Sequence, residues 1–297
     1  MTSEELLQKV RKIEIKTHGL SRNIFAGEYH SQFKGRGMAF SEVREYQPGD
    51  DVRSIDWNVT ARMNRPYIKV YEEERELTVM LLIDVSGSRN FGTVSQMKRD
   101  TMTEVAATLA FSTIENNDKV GVIFFSDQVE KFIPPKKGKS HVLHIIRELL
   151  CFEPQHKGTN INAALQYLTN AQKRRCAAFL ISDFMDGTFY LDTSRSRHLE
   201  VPPVVIAARK HDLNAIQIYD RRDAEMPNVG LIKARDPETG ARVWADTALT
   251  SVREAYNKSW LKQQEALENI YTKTGMNHVS MRTDEDYVKK LMQLFHN

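Results

Sequence analysis

The chain has 297 residues, 41% of them hydrophobic and 27% charged, with 42 basic against 39 acidic side chains for a net charge of +3. That balance suits an ordinary globular protein with ample core and creates no field for a polyanion, so nucleic acid is not expected as a partner. No run of about 18 apolar residues and no signal-peptide pattern occurs, which gives no transmembrane segment and a cytoplasmic expectation.

Residues 1–20 read as an amphipathic helix, with Leu6, Val10 and Ile13 on one side and Thr2 and Glu5 as a capping box. Residues 21–78 change texture. Gly27, Gly35, Gly37, Pro48-Gly49 and Pro66 punctuate short mixed runs, the pattern of turns and short strands. Here Trp57 is expected to anchor a small module. Arg44, Arg53 and Arg62 are expected to pair with acidic neighbours, partner docking being the sharper alternative. The domain boundary is placed between 77 and 78, giving a module over 1–77 and a larger domain over 78–297.

From Leu77 onward the rhythm is strand–helix alternation. Apolar runs at 79–84, 120–125, 178–182 and 215–219 predict strands, with helical patterns near 95–116, 140–151, 161–174 and 199–210. This alternation predicts an α/β fold, a doubly wound and mostly parallel sheet flanked by helices. An edge strand is expected over Gln128 to Ile133. A hairpin at 229–246 turns around Pro237-Glu238-Thr239-Gly240. A long helix follows with Ser251 and Glu254 as capping box, then a strand from His278 to Met281 and a last helix from Thr283 with Asp286 as cap.

Several features carry bland readings. The basic stretches PPKKGK (134–139) and KRR (173–175) read as solvated loop and helix end. Cys151 and Cys176 sit in apolar contexts and are expected to be buried free thiols. His141 and His144 stand at i, i+3 on a helix without an evident third ligand and read as exposed.

The chemistry concentrates at LLIDVSGS (81–88), where an apolar strand ends in Asp84-x-Ser86-x-Ser88. Hard oxygen donors crowded into one turn suit a hard cation, and the carboxyl ends of strands are where open α/β sheets place their sites. Two further segments belong with it. Thr159, in Lys157-Gly158-Thr159-Asn160, precedes a helix, and Asp183 ends the third long apolar strand as Asp84 ends the first. Asp127 and Asp186 lie near strand ends and either tune the site or serve as turn residues. Together Asp84, Ser86, Ser88, Thr159 and Asp183 supply about half an octahedral shell, directly or through water, for Mg²⁺, Mn²⁺ or Ca²⁺.

That ordered set resembles the metal-ion-dependent adhesion site of von Willebrand factor A-like domains. The resemblance implies that Ser86, Ser88 and Thr159 touch the metal by hydroxyl. It implies that Asp84 and Asp183 act partly through water, and that a partner's acidic side chain takes the open position without any bond being broken. The run 27–62, the segment 211–230 and the segment 282–295 are similar to the bacterial domain-of-unknown-function family fifty-eight. That resemblance implies work beside a MoxR-type AAA+ ATPase, as an adaptor in complex assembly or metal insertion. The reading is therefore a non-enzymatic, divalent-metal-dependent interaction module. The rival is a Mg²⁺-dependent phosphoryl-transfer enzyme with Asp84 as nucleophile. Such enzymes use a second carboxylate where this chain has Ser86, which has no acid–base capacity near neutral pH.

Overall fold

A computed structural model of the chain describes residues 11, 39–72, 77–93, 97–187, 189 and 201–296. The helix and capping box expected over residues 1–20 and the run up to 38 lie, Arg11 apart, outside the described residues. The chain divides into two compact units, one spanning His30–Leu77 and the other including Thr78–Asn297.

In the smaller unit, strands β1 (Ala39–Glu45) and β2 (Tyr67–Glu72) pair antiparallel, with the register shifting between Phe40 and Glu42. Helix α1 (Trp57–Met63) begins where the Asp56 carboxylate accepts from the backbone N–H of Asn58 and Val59 at 3.0 and 3.3 Å. It ends at Asn64, whose φ of 55° is the left-handed stop that Asn tolerates. Arg44 forks onto Asp50 with bonds of 2.9 and 2.7 Å, so this arginine locks a loop as an ion pair. Arg53 and Arg62 are exposed. Trp57 does not anchor the unit. It is 70% exposed at the first position of a helix of two turns, and the buried hydrophobic among the unit's described residues is Ile68, bridged to Ile55.

In the larger unit the apolar runs become strands of one six-stranded sheet. They are β3 (Thr78–Asp84), β4 (Lys119–Phe125), β5 (Val129–Lys136), β6 (Ala177–Ser182), β7 (Asp212–Tyr219) and β10 (Asn277–Arg282). A separate hairpin is formed by β8 (Leu231–Arg235) and β9 (Arg242–Asp246). The sheet order is β10-β7-β6-β3-β4-β5, all parallel except the edge strand β5. Continuous burial forces this arrangement. Met80 to Asp84 and Ala177 to Ser182 are buried at every position, so both faces need helical cover, and only crossover connections supply it.

The covering helices are α2 (Lys98–Glu115), α3 (Lys139–Cys151), α4 (Ile161–Ala171), α5 (Pro203–Lys210), the short α6 (Arg221–Ala224), α7 (Thr250–Thr274) and α8 (Tyr287–His296). Side chains alternate across the sheet. Met80, Leu82, Ala178 and Leu180 pack with Leu165 and Leu168 of α4, Ala207 of α5, and Leu267 and Tyr271 of α7. Phe179, between two of those residues, points to the other face and meets Phe295 of α8 edge-on at 6.0 Å. The mostly parallel, doubly wound α/β sheet expected from the sequence is the one observed.

The differences are local. Helix α5 starts at Pro203, a residue suited to the first helical turn, while 199 and 200 lie outside the described residues. Helix α7 starts at Thr250, which puts Ser251 inside its first turn, so the Ser251/Glu254 capping box does not form. Arg253 caps the preceding carbonyls instead, donating to Thr247 and Ala248 at 2.5 and 2.9 Å. Helix α8 starts at Tyr287, later than Thr283, with Asp286 accepting from Val288 N–H at 3.0 Å. Pro134 to Lys136 belong to β5 and are not loop. Cys151 is exposed, because the helical turn that buries Leu149 and Leu150 carries the next residue outward; Cys176 is buried. His144 is exposed, whereas His141 is half-buried with Nε2 at 2.9 Å from the Val120 carbonyl.

Cys176 sits beside a second buried group, with Sγ at 3.2 Å from His211 Nδ1. Burial, with Lys210 adding repulsion, lowers His211 to about 4, and burial raises the Cys176 thiol to about 12. The folded state therefore binds fewer protons at His211 than the unfolded chain between pH 6.5 and about 4, and His211 opposes folding increasingly as pH falls through that window. Urea unfolding should show stability falling by on the order of 1 kcal/mol per pH unit from this group. His211→Met should remove that part of the slope; an unchanged slope in the variant would refute the assignment.

Candidate metal centre

Asp84 is the last residue of β3, and its two neighbouring strands leave it in different directions. The chain runs from β3 to β4 on one side, then returns to place β6 on the other, so the crevice between β3 and β6 is the topological switch point of the sheet. The β3–β6 register pairs Ile83 with Ile181 and so brings Asp84 beside Ser182. Ser182 Oγ donates to Asp84 Oδ2 at 2.5 Å, and Ser86 N–H donates to Asp84 Oδ1 at 2.9 Å. The second bond curls the chain after the strand, and it brings Ser86 Oγ within 2.9 Å of Ser88 Oγ. Asp84, Ser86 and Ser88 are all buried.

The loop carrying Thr159 is tied to this turn by its backbone. Gly87 N–H donates to the Lys157 carbonyl at 2.9 Å, and Asn160 N–H donates to the Ser126 carbonyl at 2.7 Å. The Asn160 side chain accepts from Ala163 N–H and starts α4, while Asp186 accepts from Ile161 N–H at 2.8 Å. Asp186 is thus an anchor between the Thr159 loop and the Asp183 loop. Asp127 is half-exposed and lies 3.5 Å from His156 at the loop's rim. Thr159 Oγ1 donates to Glu238 Oε1 at 2.7 Å, a carboxylate from the turn of the β8–β9 hairpin.

Asp183 follows β6 and is fully buried. Its Oδ2 accepts from Lys98 Nζ at 2.8 Å, and its Oδ1 accepts from Met185 N–H at 3.1 Å. The next residue, Phe184, is buried with φ of 57°, a left-handed conformation that bulky side chains rarely adopt. The Ser182 hydroxyl accepts from Phe184 N–H at 3.0 Å and helps to hold it. Lys98 also donates to Asp223 Oδ2 at 3.1 Å. Asp223 in turn accepts from Asp220 N–H, and Asp220 accepts from Thr93 Oγ1 at 2.6 Å and from Arg222 N–H at 2.8 Å.

The electrostatics are those of acids crowded out of water. Burial first, then the charge of Asp183, raises Asp84 to about 7 against the lowering bonds from Ser182 and Ser86. Burial works against the charge of Lys98, but Asp183 and Asp223 outweigh it and raise the ammonium above its ordinary value. Burial also raises Glu238, helped by Asp183, Asp236 and Asp186 and opposed by the Thr159 bond. Arg89, buried and bonded to the Phe152 carbonyl at 2.7 Å, is lowered to about 10 by burial and by Arg99. A bound cation at this edge would relieve the acids that Lys98 and Arg89 leave uncompensated.

The donor set fits such a cation. Two buried hydroxyls in contact, a third on an adjoining loop and flanking carboxylates are hard oxygens of the kind Mg²⁺ and its relatives take. Among the described residues no three His, Cys, Asp or Glu side chains form a metal-holding group, so the set depends on its serines and threonine. The five residues named from sequence reach one end of the sheet. Lys98, Asp223, Ser182 and Glu238, which local spacing does not assign to the site, lie within the same network. A cleft of about 600 Å³ adjoins it, lined among others by Ser88, Phe91, Asp183, Met226, Ile232 and Pro237. Arg44, Arg53 and Arg62 belong to the smaller unit.

A family model described as protein of unknown function DUF58 matches residues 42–266. The chain belongs to this family. The DUF58 match takes in all five site residues and the hairpin. The uncharacterized protein Rv1480 of Mycobacterium tuberculosis is 28% identical over 97% of this chain and 88% of its own length. Among solved structures, an aerotolerance-related membrane protein of Bacteroides fragilis is 18% identical with a TM-score of 0.46, covering 74% of this chain and 96% of that one. BatB from Bacteroides thetaiotaomicron gives the same identity and TM-score, over 74% of this chain and 97% of its own. No helix among the described residues is long and apolar enough to cross a membrane.

Lys98 offers a test of the network. Replacing a buried partner leaves charge unpaired, which costs about 3–5 kcal/mol. Lys98→Met should lower the free energy of unfolding by that amount in urea titrations, and adding Asp183→Asn should restore part of it. A single variant as stable as the parent would show that the buried pair contributes nothing.

Proposed function

We propose that this chain is a non-enzymatic, divalent-metal-dependent protein-interaction module whose cation rests on Asp84, Ser86, Ser88, Thr159 and Asp183. The observation that carries the reading is the meeting of Ser86 Oγ and Ser88 Oγ at 2.9 Å in the turn that Asp84 holds through Ser86 N–H, with Asp84 itself buried and raised by the charge of Asp183. Ser86, Ser88 and Thr159 would touch the metal by hydroxyl. Both carboxylates already accept protein hydrogen bonds, which suits contact partly through water. A bound Mg²⁺, with Mn²⁺ or Ca²⁺ as substitutes, supplies a point charge that accepts one more acidic oxygen. The chain's residues hold that charge at the rim of the sheet, and nothing in the set needs to move a proton.

On family resemblance the partner is a MoxR-type AAA+ ATPase or its client, the chain serving as adaptor in complex assembly or metal insertion. The two thiols lack a disulfide, which fits a reducing, cytoplasmic setting. The phosphoryl-transfer alternative gains no support from Ser86, which lies in contact with Ser88 and cannot act as acid or base.

Calorimetric titration with Mg²⁺ is the direct test. The parent should bind, and Asp84→Ala should weaken binding by about tenfold or more. A purified AAA+ ATPase bait should capture the parent in Mg²⁺ and lose it in EDTA. Binding unchanged in Asp84→Ala, or Mg²⁺-dependent phosphoester turnover abolished by Asp84→Asn, would overturn the reading.

A further inference from the structure

The hairpin between β7 and α7 is built to present one carboxylate. Asp236 organises its turn, accepting from Glu238 N–H at 2.9 Å through Oδ1 and from Thr239 Oγ1 at 2.5 Å through Oδ2. Asp236 N–H donates to the Ala241 carbonyl, and Gly240 closes the turn at φ of 72°. Lys233 lies over the Trp244 ring at 5.4 Å, a cross-strand pair that stiffens two strands of five residues each. At the base, Thr247 is fully buried and bonds both Val229 N–H and the Gly230 carbonyl. Glu238 is therefore set by the hairpin itself.

The turn is seated directly on the Asp84–Ser88 loop. A Cβ placed on Gly87 would come within 2.6 Å of the Pro237 carbonyl oxygen and 3.4 Å of the Lys157 carbonyl oxygen. Only glycine lets the turn approach so closely. At that distance the next residue's carboxylate reaches Thr159, one of the three hydroxyl donors. Glu238 thus stands half-buried, with its carboxylate held at 2.7 Å on the Thr159 hydroxyl and its turn pressed onto the Asp84–Ser88 loop.

We propose that Glu238 is the site's own acidic ligand: it occupies the cation's open coordination position, and a partner's acidic side chain binds by displacing it. This rests on the metal reading above. The hairpin is then a tethered competitor, and partner affinity is set against an internal carboxylate whose effective concentration is high. Only a partner segment that carries its acid together with further contacts, such as apolar side chains for the adjoining cleft of Phe91, Met226 and Ile232, outcompetes it.

Mn²⁺ provides the test, because electron paramagnetic resonance counts free Mn²⁺ and water proton relaxation reports the waters left on the bound ion. Glu238→Gln keeps an acceptor for the Thr159 hydroxyl and loses the charge; Glu238→Ala loses both. If Glu238 is a ligand, both variants should weaken Mn²⁺ about tenfold and to similar extents, and both should show one additional bound water. Acetate should then displace that water in the variants and not in the parent. If the carboxylate merely holds the hairpin on Thr159, Glu238→Gln will match the parent in affinity and hydration, and the proposal falls while the metal site stands. A parent that binds no Mn²⁺ overturns both.

Discussion

Burying carboxylates at the carboxyl edge of the sheet is the constraint around which the larger unit is organised. Asp84, Asp183 and Asp220 are each at most 1% exposed. An ionised acid removed from water is tolerated only with hydrogen-bond donors or an opposite charge close by. Lys98 answers part of that need from the first turn of α2, reaching Asp183 and Asp223 together and fixing where that helix begins. Asp223 then braces Asp220 through a reciprocal cap, and Asp220 gathers Thr93 and Thr283 from distant parts of the chain. The helices on this edge are therefore placed by charge as much as by their apolar faces.

The hydroxyls work on the other side of that account. In the proposed site Ser86, Ser88 and Thr159 would bring oxygen without charge, so a dication held there would keep more of its field. A shell made wholly of carboxylates would quench the ion and leave it no affinity for another acid. A shell lean in charge leaves it wanting one, which is the physical basis of an adhesive metal site. The same argument explains why Glu238 matters more than its place in a hairpin turn suggests, since it is the acid already within reach of a donor hydroxyl.

What could be seen in the sequence was whatever depends on spacing along one segment. Asp84, Ser86 and Ser88 fall within one turn, and the strand before them is apolar from Val79 to Ile83, so both the sheet and the place of its candidate site were legible. Thr159 and Asp183 could be added because each follows its own recognisable boundary. Lys98 could not, since its partners Asp183 and Asp223 are 85 and 125 residues away, and a lysine at a helix start reads as solvated. Glu238, 79 residues from Thr159, looked like a turn residue because it is one. The misplacements have similar causes. Trp57 seemed an anchor by size alone, and Cys151 seemed buried because its neighbours are. Ser251 seemed a cap because Glu254 stands three residues on, although the arginine at 253 caps the preceding carbonyls.

The hairpin's position follows from the topology. Parallel strands all deliver their following segments to the same edge of a sheet, so an insertion after β7 emerges at the edge where β3 and β6 end. An insertion after any helix would emerge at the opposite edge, away from the serines. The segment is held by its own turn, its own cross-strand pair and Thr247 at its base, and the sheet's core residues take no part in its closure. Changes at the hairpin turn can therefore retune access to the edge of the sheet without repacking the core beneath it. In the proposed site, such separation of the selective element from the binding element would let one metal geometry serve partners of different sequence.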